Sequence, residues 1–532
     1  MDPILETDQY KFAMAEAGWP LREETFYYSH RKGGPHLLPV DVKEYIKGIF
    51  HIWQNGGLIK ISDDIKYNLA EVSGLHVGAW FEHFYNLKNP FDKLTIKTIP
   101  KGSWFYDRDP VFTVTGPSFL LSWLEPQILQ LHYRIQVATL AAKGLLDEKV
   151  NRINMLTCNG QKTIVEEALE TVRSLGYEVP EMEMHVQSDT YMINVESRVR
   201  QLIDAVGGGA HRLFEVGLRA ATCGEQHDLT LMACKKAGLT STSDTFGAIA
   251  YNMRAVGTMG HEHVQRFGSD EVAYNAMADR LPGSIFCLLD TYDTYESGFP
   301  AARDLMARQP ERKHVIRFDS GNIVKQFQDA VHYFDFGSLK ESGYNARYCL
   351  EDGWNLTKTV EIEKIINRRR HTRDYKNPWF RFDPNNVLYG YGGFITNCGW
   401  TSMTRDRVAA VWKLTQTGDT PTMKFGSADG KGKESIPGKP ILWVMLNRCM
   451  ASKMPKSIVA QKGEDLTKRY GDLYQKAYES EPLAIPYESP YIVPVGIDNE
   501  QPNAYSDATK ILRHSLYEKK LKTIRRSKEK WQ

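Results

Sequence analysis

The fold class this 532-residue sequence predicts is α/β: an incomplete TIM-like α/β barrel with an α+β N-terminal domain and a smaller β-rich unit. Three observations carry that expectation. From residue 206 onward, short apolar runs alternate with helical segments, the pattern of parallel α/β units. Four of those runs end in charged or glycine-bearing corners, "DTYD", "RFDSG", "EDG" and "YGYGG", as expected where barrel strands open onto loops at their C-terminal ends. The length exceeds one ordinary domain and is ample for a sizeable core.

Residues 1–143 are expected to form the N-terminal α+β domain, with strand-like "EETFYYSH" and "KLTIKTIP". Its last stretch, 117–143, has a long helical pattern that Pro126 interrupts. Residues 144–205 read as a helical insertion built around "QKTIVEEALETVRSLGYEV", an amphipathic helix ending at a glycine. The barrel is placed over 206–400, with strand-like cores in "RLFEVGLRAA", "AIAYNMRAVGTM", "SIFCLLDTYD", "HVIRFDSGN", "NARYCLEDG" and "NVLYGYGGFI". Residues 401–532 return to β-rich pieces and end in the basic, helix-patterned "KILRHSLYEKKLKTIRRSKEKWQ", read as a solvated helix.

Composition narrows the class of function. Hydrophobic residues at 42% and charged residues at 25% exclude disordered, collagen-like and membrane classes, and a net charge of +2 gives no pull toward nucleic acid. No run approaches the roughly eighteen apolar residues of a membrane span, and "MDPILETDQYKFAMAEAGW" has no basic-then-apolar leader pattern, so the expected location is cytoplasmic. Seven cysteines without a C-x-x-C pair suggest neither a zinc ribbon nor a disulfide framework.

The chemistry concentrates in a few motifs. In "VIRFDSGNI", Arg317 and Asp319 are two apart on a strand and share a face, and Ser-Gly-Asn after them exposes backbone N–H groups. That set suits a phosphorylated sugar, and equally a salt-bridged strand end. Gly392 and Gly393 let the backbone approach an anion, while Glu351 and Asp352, followed by Gly353, supply carboxylates for hydroxyls or Mg²⁺. Arg405, Lys413 and Lys424 form a basic set fit to clamp a diphosphate. For "RAVGTMGHEHVQRFG", three readings are open: a metal site, a histidine acting on phosphate, or polar residues at a helix start.

Taken in order, "ETDQYKFAM", "WLEPQILQLHYRIQVAT", "EVGLRAA", "TSTSDT", "GTMGHEH", "LLDTYDTYESG", "IRFDSGN", "LEDG", "YGYGGF" and "TRD" resemble the nicotinate and nicotinamide phosphoribosyltransferases, the type II fold of pyridine-base salvage. The resemblance leaves 144–205 uncovered and the tail after about 450 only loosely covered. It implies a homodimer with shared sites, in which Tyr10 stacks on the pyridine ring in the neighbour's site and Arg31 adds to the diphosphate clamp from the partner subunit. Arg219 is expected against the base, with Val216 standing where the nicotinamide branch has a phenylalanine and Phe214 close in sequence. His261 is expected to accept the γ-phosphate of ATP, and His261, Arg317, Asp319 and Asp293 form the expected catalytic set. The implied reaction joins nicotinate to phosphoribosyl pyrophosphate (PRPP), coupled to ATP, with Mg²⁺ carried on the diphosphate rather than by side chains. Asp244 in "TSTSDT" favours the alternative substrate nicotinamide, since a carboxylate beside a substrate carboxylate is a like-charge pair. A third reading is an inactive relative that binds a partner. Neither nucleic acid nor membrane is an expected partner.

Overall fold

In the computed structural model, which describes residues 3–50, 89–146, 152–156, 159–257, 259–335, 346–370, 379, 382–399, 401–425, 433–445, 455–479 and 503–529, the chain opens with helix Gln9–Ala17 and strand Glu23–Ser29 (β1). Strands Thr95–Thr98 (β2) and Phe112–Pro117 (β3) follow, β3 pairing antiparallel with both. The helical stretch after β3 divides into Ser118–Trp123 and Glu125–Ala142. Pro126 sits in the first turn of the second helix, where its missing N–H has no partner to lose.

The segment read as helical is mixed. Strand Arg152–Met155 (β4) pairs in parallel with Glu183–Val186 (β5), around helix Gly160–Ser174 and ahead of helix Ser188–Ala205. Helix Gly160–Ser174 buries Val165, Leu169 and Val172 in one cluster with Tyr133, Val137 and Ala138 of the preceding long helix.

Seven parallel strands then build the barrel: Leu213–Glu215 (β6), Ser241–Thr242 (β7), Arg254–Ala255 (β8), Phe286–Leu288 (β9), Val315–Phe318 (β10), Arg347–Leu350 (β11) and Val387–Tyr391 (β12). Their order is β8-β7-β6-β12-β11-β10-β9, which is chain order around a ring that is open between β8 and β9. A closed barrel has eight strands; among the described residues nothing bridges the gap, and the chain crosses it through helices His261–Phe267 and Asp270–Arg280. Alternation sorts the side chains: Ile316, Phe318, Tyr348, Leu350 and Tyr389 pack outward in the main core, whereas Phe214, Val315, Cys349 and Leu388 form a separate inner cluster.

Strand Val411–Thr417 (β13) returns to pair antiparallel with β1, and Thr420–Pro421 (β14) completes a five-stranded sheet of order β14-β13-β1-β3-β2. Strands Pro440–Met445 (β15), Ser457–Gln461 (β16), Tyr474–Lys476 (β17) and Asn503–Tyr505 (β18) form a further four-stranded sheet, and helix Asp507–Glu529 ends the description. No helix among the described residues is long and apolar enough to cross a membrane. The five described cysteines are buried; Cys158 and Cys449 lie outside the described residues.

Candidate active site

Alternation along β10 and β11 fixes the floor of the site. Arg317 shares the inner face with Val315, and Asp319 follows two residues on; Glu351 stands likewise two beyond Cys349. The register pairs Arg317 with Cys349, which brings the three polar groups together. Arg317 donates to Asp319 Oδ1 at 3.0 Å and to the Met259 carbonyl at 2.7 Å, and its guanidinium lies 2.9 Å from Glu351 Oε2. Burial opposes ionisation of Asp319, but Arg317 and His261 outweigh it and hold the carboxyl well below its ordinary range. Glu351 goes the other way: burial, with Asp319 adding repulsion, raises it despite Arg317.

These residues open onto a cavity of about 570 Å³ at the C-terminal ends of the barrel strands. His261 begins helix His261–Phe267 at its edge. The His261 ring is held from both sides, Nδ1 3.0 Å from Thr291 Oγ1 and Nε2 3.1 Å from Asp319 Oδ2. The Lys424 ammonium is 2.6 Å from Nε2 and 3.2 Å from Asp290 Oδ2. Burial, reinforced by Lys424, lowers the His261 pKa to about 4, so the imidazole is neutral at neutral pH. His261, Asp290 and Asp319 offer ligand atoms within 4.8 Å of one another, a spacing that would suit a metal ion. The ammonium of Lys424 already stands among them, however, against His261 and Asp290, and Arg317 answers Asp319, so this trio does not fit a resident cation.

The five-stranded sheet supplies the opposite wall. Lys413 on β13 and Lys424 beyond it face the cavity with Arg31 and Arg405. Burial, with Lys424, Arg31 and Arg405 adding repulsion, lowers the Lys413 pKa to about 7 despite Glu125. A doubly charged anion of constant charge, such as sulfate, should therefore bind most tightly below pH 7 and lose about tenfold in affinity above it, the scale of one charge-assisted hydrogen bond. Calorimetric titration with sulfate across this range checks the prediction; Lys413→Met should flatten the profile, and a flat profile in the unaltered protein would contradict it.

Most of the residues singled out from the sequence meet here: Tyr10, Arg31, Arg219, His261, Arg317, Asp319, Asp352, Gly353, Gly392, Gly393, Arg405, Lys413 and Lys424 all line the cavity. Asp352 and Gly353 follow β11 with φ of 59° and 62°, a left-handed pair that turns the chain sharply beside the cavity. A Cβ on Gly393 would come within 2.8 Å of Asn397 Nδ2, so the Asn397 amide would have to shift to admit a side chain there. Tyr10 and Arg31, expected from a partner subunit, line this chain's own cavity. Arg219 lies 5.6 Å from the Tyr10 ring centre, with Asp8 at 3.2 Å and Glu125 at 3.5 Å.

Two expected residues lie elsewhere. Asp244 caps helix Thr245–Ala250 through the N–H groups of Phe246 and Gly247 and pairs with His227 Nδ1 at 3.3 Å. Burial opposes charge on His227, but Glu215 and Asp244 overcome it and raise its pKa to about 10, so Asp244 answers an imidazolium, not a substrate. Asp293 likewise accepts from the N–H groups of Tyr295 and Glu296 at a helix start and is absent from the cavity wall. The carboxylate that "DTYD" brings to His261 is Asp290, 3.7 Å from Nε2. Its signal was position: Asp290, Asp319 and Glu351 all stand one or two residues beyond a strand end. Val216 lines the cavity, whereas Phe214 is packed inside the barrel.

Lys11, Glu125 and Glu262 were not legible beforehand. Lys11 is buried between the two glutamates, bonding Glu125 and, at 2.7 Å, Glu262, while Ser122 donates to Glu262 at 2.8 Å. Through Glu262 the helix that carries His261 is bolted to helix Gln9–Ala17. Arg266 adds a second bolt, a two-pronged pair with Glu24 of β1 at 2.7 and 2.9 Å.

Fold and cavity together define a class: an open α/β-barrel protein whose strand ends meet a basic wall, with space and charge for a phosphorylated ligand. A family model described as the nicotinate phosphoribosyltransferase (NAPRTase) family matches residues 212–462 of this chain. A nicotinate phosphoribosyltransferase of Mycobacterium tuberculosis is 37% identical over 89 residues, 16% of this chain and 19% of that protein. One from Dictyostelium discoideum is 23% identical over 460 residues, covering 82% of this chain and 67% of its own length. In three dimensions the chain is similar to the crystal structure of a nicotinate phosphoribosyltransferase from Vibrio cholerae, with a TM-score of 0.53 at 16% identity over 81% of this chain and 90% of that one.

Proposed function

We propose that the chain transfers the phosphoribosyl group of PRPP to the pyridine nitrogen of nicotinate, giving nicotinate mononucleotide and diphosphate in NAD salvage, with ATP hydrolysis coupled through phosphorylation of His261. The observation that carries this reading is the convergence of Arg31, Arg317, Arg405, Lys413 and Lys424 on one cavity that also holds an anionic Asp319 and a neutral His261.

In the transfer, the bond from the anomeric carbon to the diphosphate oxygen breaks as the ring nitrogen bonds to that carbon. Negative charge grows on the departing diphosphate, where Arg405, Lys413 and Lys424 receive it, and positive charge grows on the sugar, where Asp319 faces it. Mg²⁺ on the diphosphate oxygens supplies further neutralisation of the leaving group, and it fits as an ion brought in on the substrate because Lys424 fills the His261, Asp290 and Asp319 cluster. Tyr10 offers the ring a face and Arg219 the 3-substituent a cation. His261 presents Nε2 beside Lys424, where a phosphoryl group on that nitrogen would be met by the ammonium.

The nicotinamide reading no longer draws support from Asp244, but one observation favours it: Asp8 and Glu125 already share the charge of Arg219, leaving less of it for a substrate carboxylate. Release of diphosphate from PRPP and Mg²⁺, with either base and with or without ATP, separates the two. The expected result is turnover of nicotinate, stimulated by ATP, with an acid-labile phosphate that is absent from His261→Ala. Turnover of nicotinamide alone would establish the second reading, and no turnover of either base would leave a binding protein. A homodimer is proposed with this reading, and sedimentation velocity tests it.

A further inference from the structure

Beside the main cavity lies a second one of about 220 Å³, enclosed by β13, the residues after β14, the C-terminal end of helix His261–Phe267 and helix Asp507–Glu529. Its wall carries four cations, Arg22, Arg266, Lys519 and Lys520, and no carboxylate. Glu24 answers Arg266. The acids that act on Lys520, Asp293 and Asp270, do not line the space. Three positive groups are therefore turned toward it without an acid in the wall to meet them.

The rest of the wall is aromatic and hydroxylated. Phe425 packs 5.7 Å from Tyr292 and 5.1 Å from Tyr517, with the Lys520 ammonium 5.1 Å from the Phe425 ring centre. Thr420 and Thr422 add side chains able to donate to an anion. Cations and flat apolar faces in one small space fit a phosphate joined to a ring.

The two cavities share structure. Gln265, itself buried, lines both. Lys424 reaches His261, while Met423 and Phe425 on either side of it line the second cavity. Thr291 holds His261 Nδ1, while Tyr292, the next residue, lines the second cavity. Two separate chain segments thus touch His261 with one residue and the second cavity with its neighbour.

We propose that this second cavity is a regulatory site for a mononucleotide, whose phosphate is met by Arg22, Lys519 and Lys520 and whose base lies against Phe425. Occupancy acts on the main cavity through Phe425 and Tyr292, and so on the two residues that hold His261. Binding coupled in this way is reciprocal.

Calorimetry with AMP tests it on the full chain, in an Arg405→Glu background that weakens anion binding in the main cavity. AMP should bind one per chain, and adding Lys519→Glu and Lys520→Glu should weaken it at least tenfold. Both lysines sit on the outer helix, and an unchanged circular dichroism melt shows that fold is retained. No AMP bound in the Arg405→Glu protein, or undiminished affinity with both lysines reversed, would overturn the site. Inorganic phosphate should bind at least tenfold more weakly than AMP; equal affinities would replace the mononucleotide by a bare anion. Finally, saturating AMP should change the affinity of the otherwise unaltered protein for diphosphate at least threefold, an effect the lysine reversals remove, and no change would overturn the regulatory role. None of these readouts depends on which reaction the main cavity runs.

Discussion

Arg317→Ala should lose about 3–5 kcal/mol of folding stability and bring diphosphate release to background, because a buried charge stripped of its partner is strongly destabilising. Arg317 is the counter-charge for two carboxylates on neighbouring strands, Asp319 and Glu351, and also satisfies the Met259 carbonyl. Without it, two acids face each other in a buried site; Glu351, already raised, would take up a proton, and Asp319 would lose the partner that holds it ionised. Arg317→Lys should rescue little, since one ammonium cannot span three acceptors held in this geometry. Urea denaturation gives the stability and a diphosphate assay the activity. A stability loss below about 1 kcal/mol would show that water, not Arg317, solvates these carboxylates.

Lys11→Met should be comparably costly, again about 3–5 kcal/mol, although Lys11 does not line the main cavity. Its ammonium is buried between Glu125 and Glu262, and its removal leaves Glu262 with Ser122 and Glu125 with Arg219. The double variant Lys11→Met with Glu262→Gln should regain part of the loss, because it removes one of the stranded charges. The single variant should also lose activity, since Glu262 follows His261 in a short helix and its anchor sets where the imidazole points. Equal denaturation midpoints for the unaltered and Lys11→Met proteins would refute this account.

The sequence was informative where local pattern and tertiary role coincide. "VIRFDSG" alternates, so Arg317 and Asp319 could be assigned to one face before any neighbour was known, and β10 places them there. Asp244 and Asp293 show the converse. Each precedes a helix and binds its first N–H groups, and an aspartate in that position serves as a cap as readily as it serves a substrate. Lys11, Glu125 and Glu262 had no local signature at all, for each answers a charge more than a hundred positions away. The insertion was read through its helices, while the pair β4 and β5 consists of four-residue strands too short to stand out from their surroundings. Glycines near the cavity serve two ends: Gly390 is small because Glu351 and Phe214 press against it, at 2.7 and 2.9 Å from where a Cβ would sit, which is packing rather than anion binding.

The pairing of β1 with β13 reaches beyond statics. Tyr27 lies opposite Lys413, so β1 finds its partner only after all seven barrel strands have been made. Contacts this distant in sequence are slow to form, and the early segment must wait with its apolar face uncovered. No nascent chain that stops before β13 can own a complete basic wall, however well its barrel has assembled. Synthesis thus delays competence: the protein cannot grip a polyanion through this wall until β13 has followed the barrel out of the ribosome.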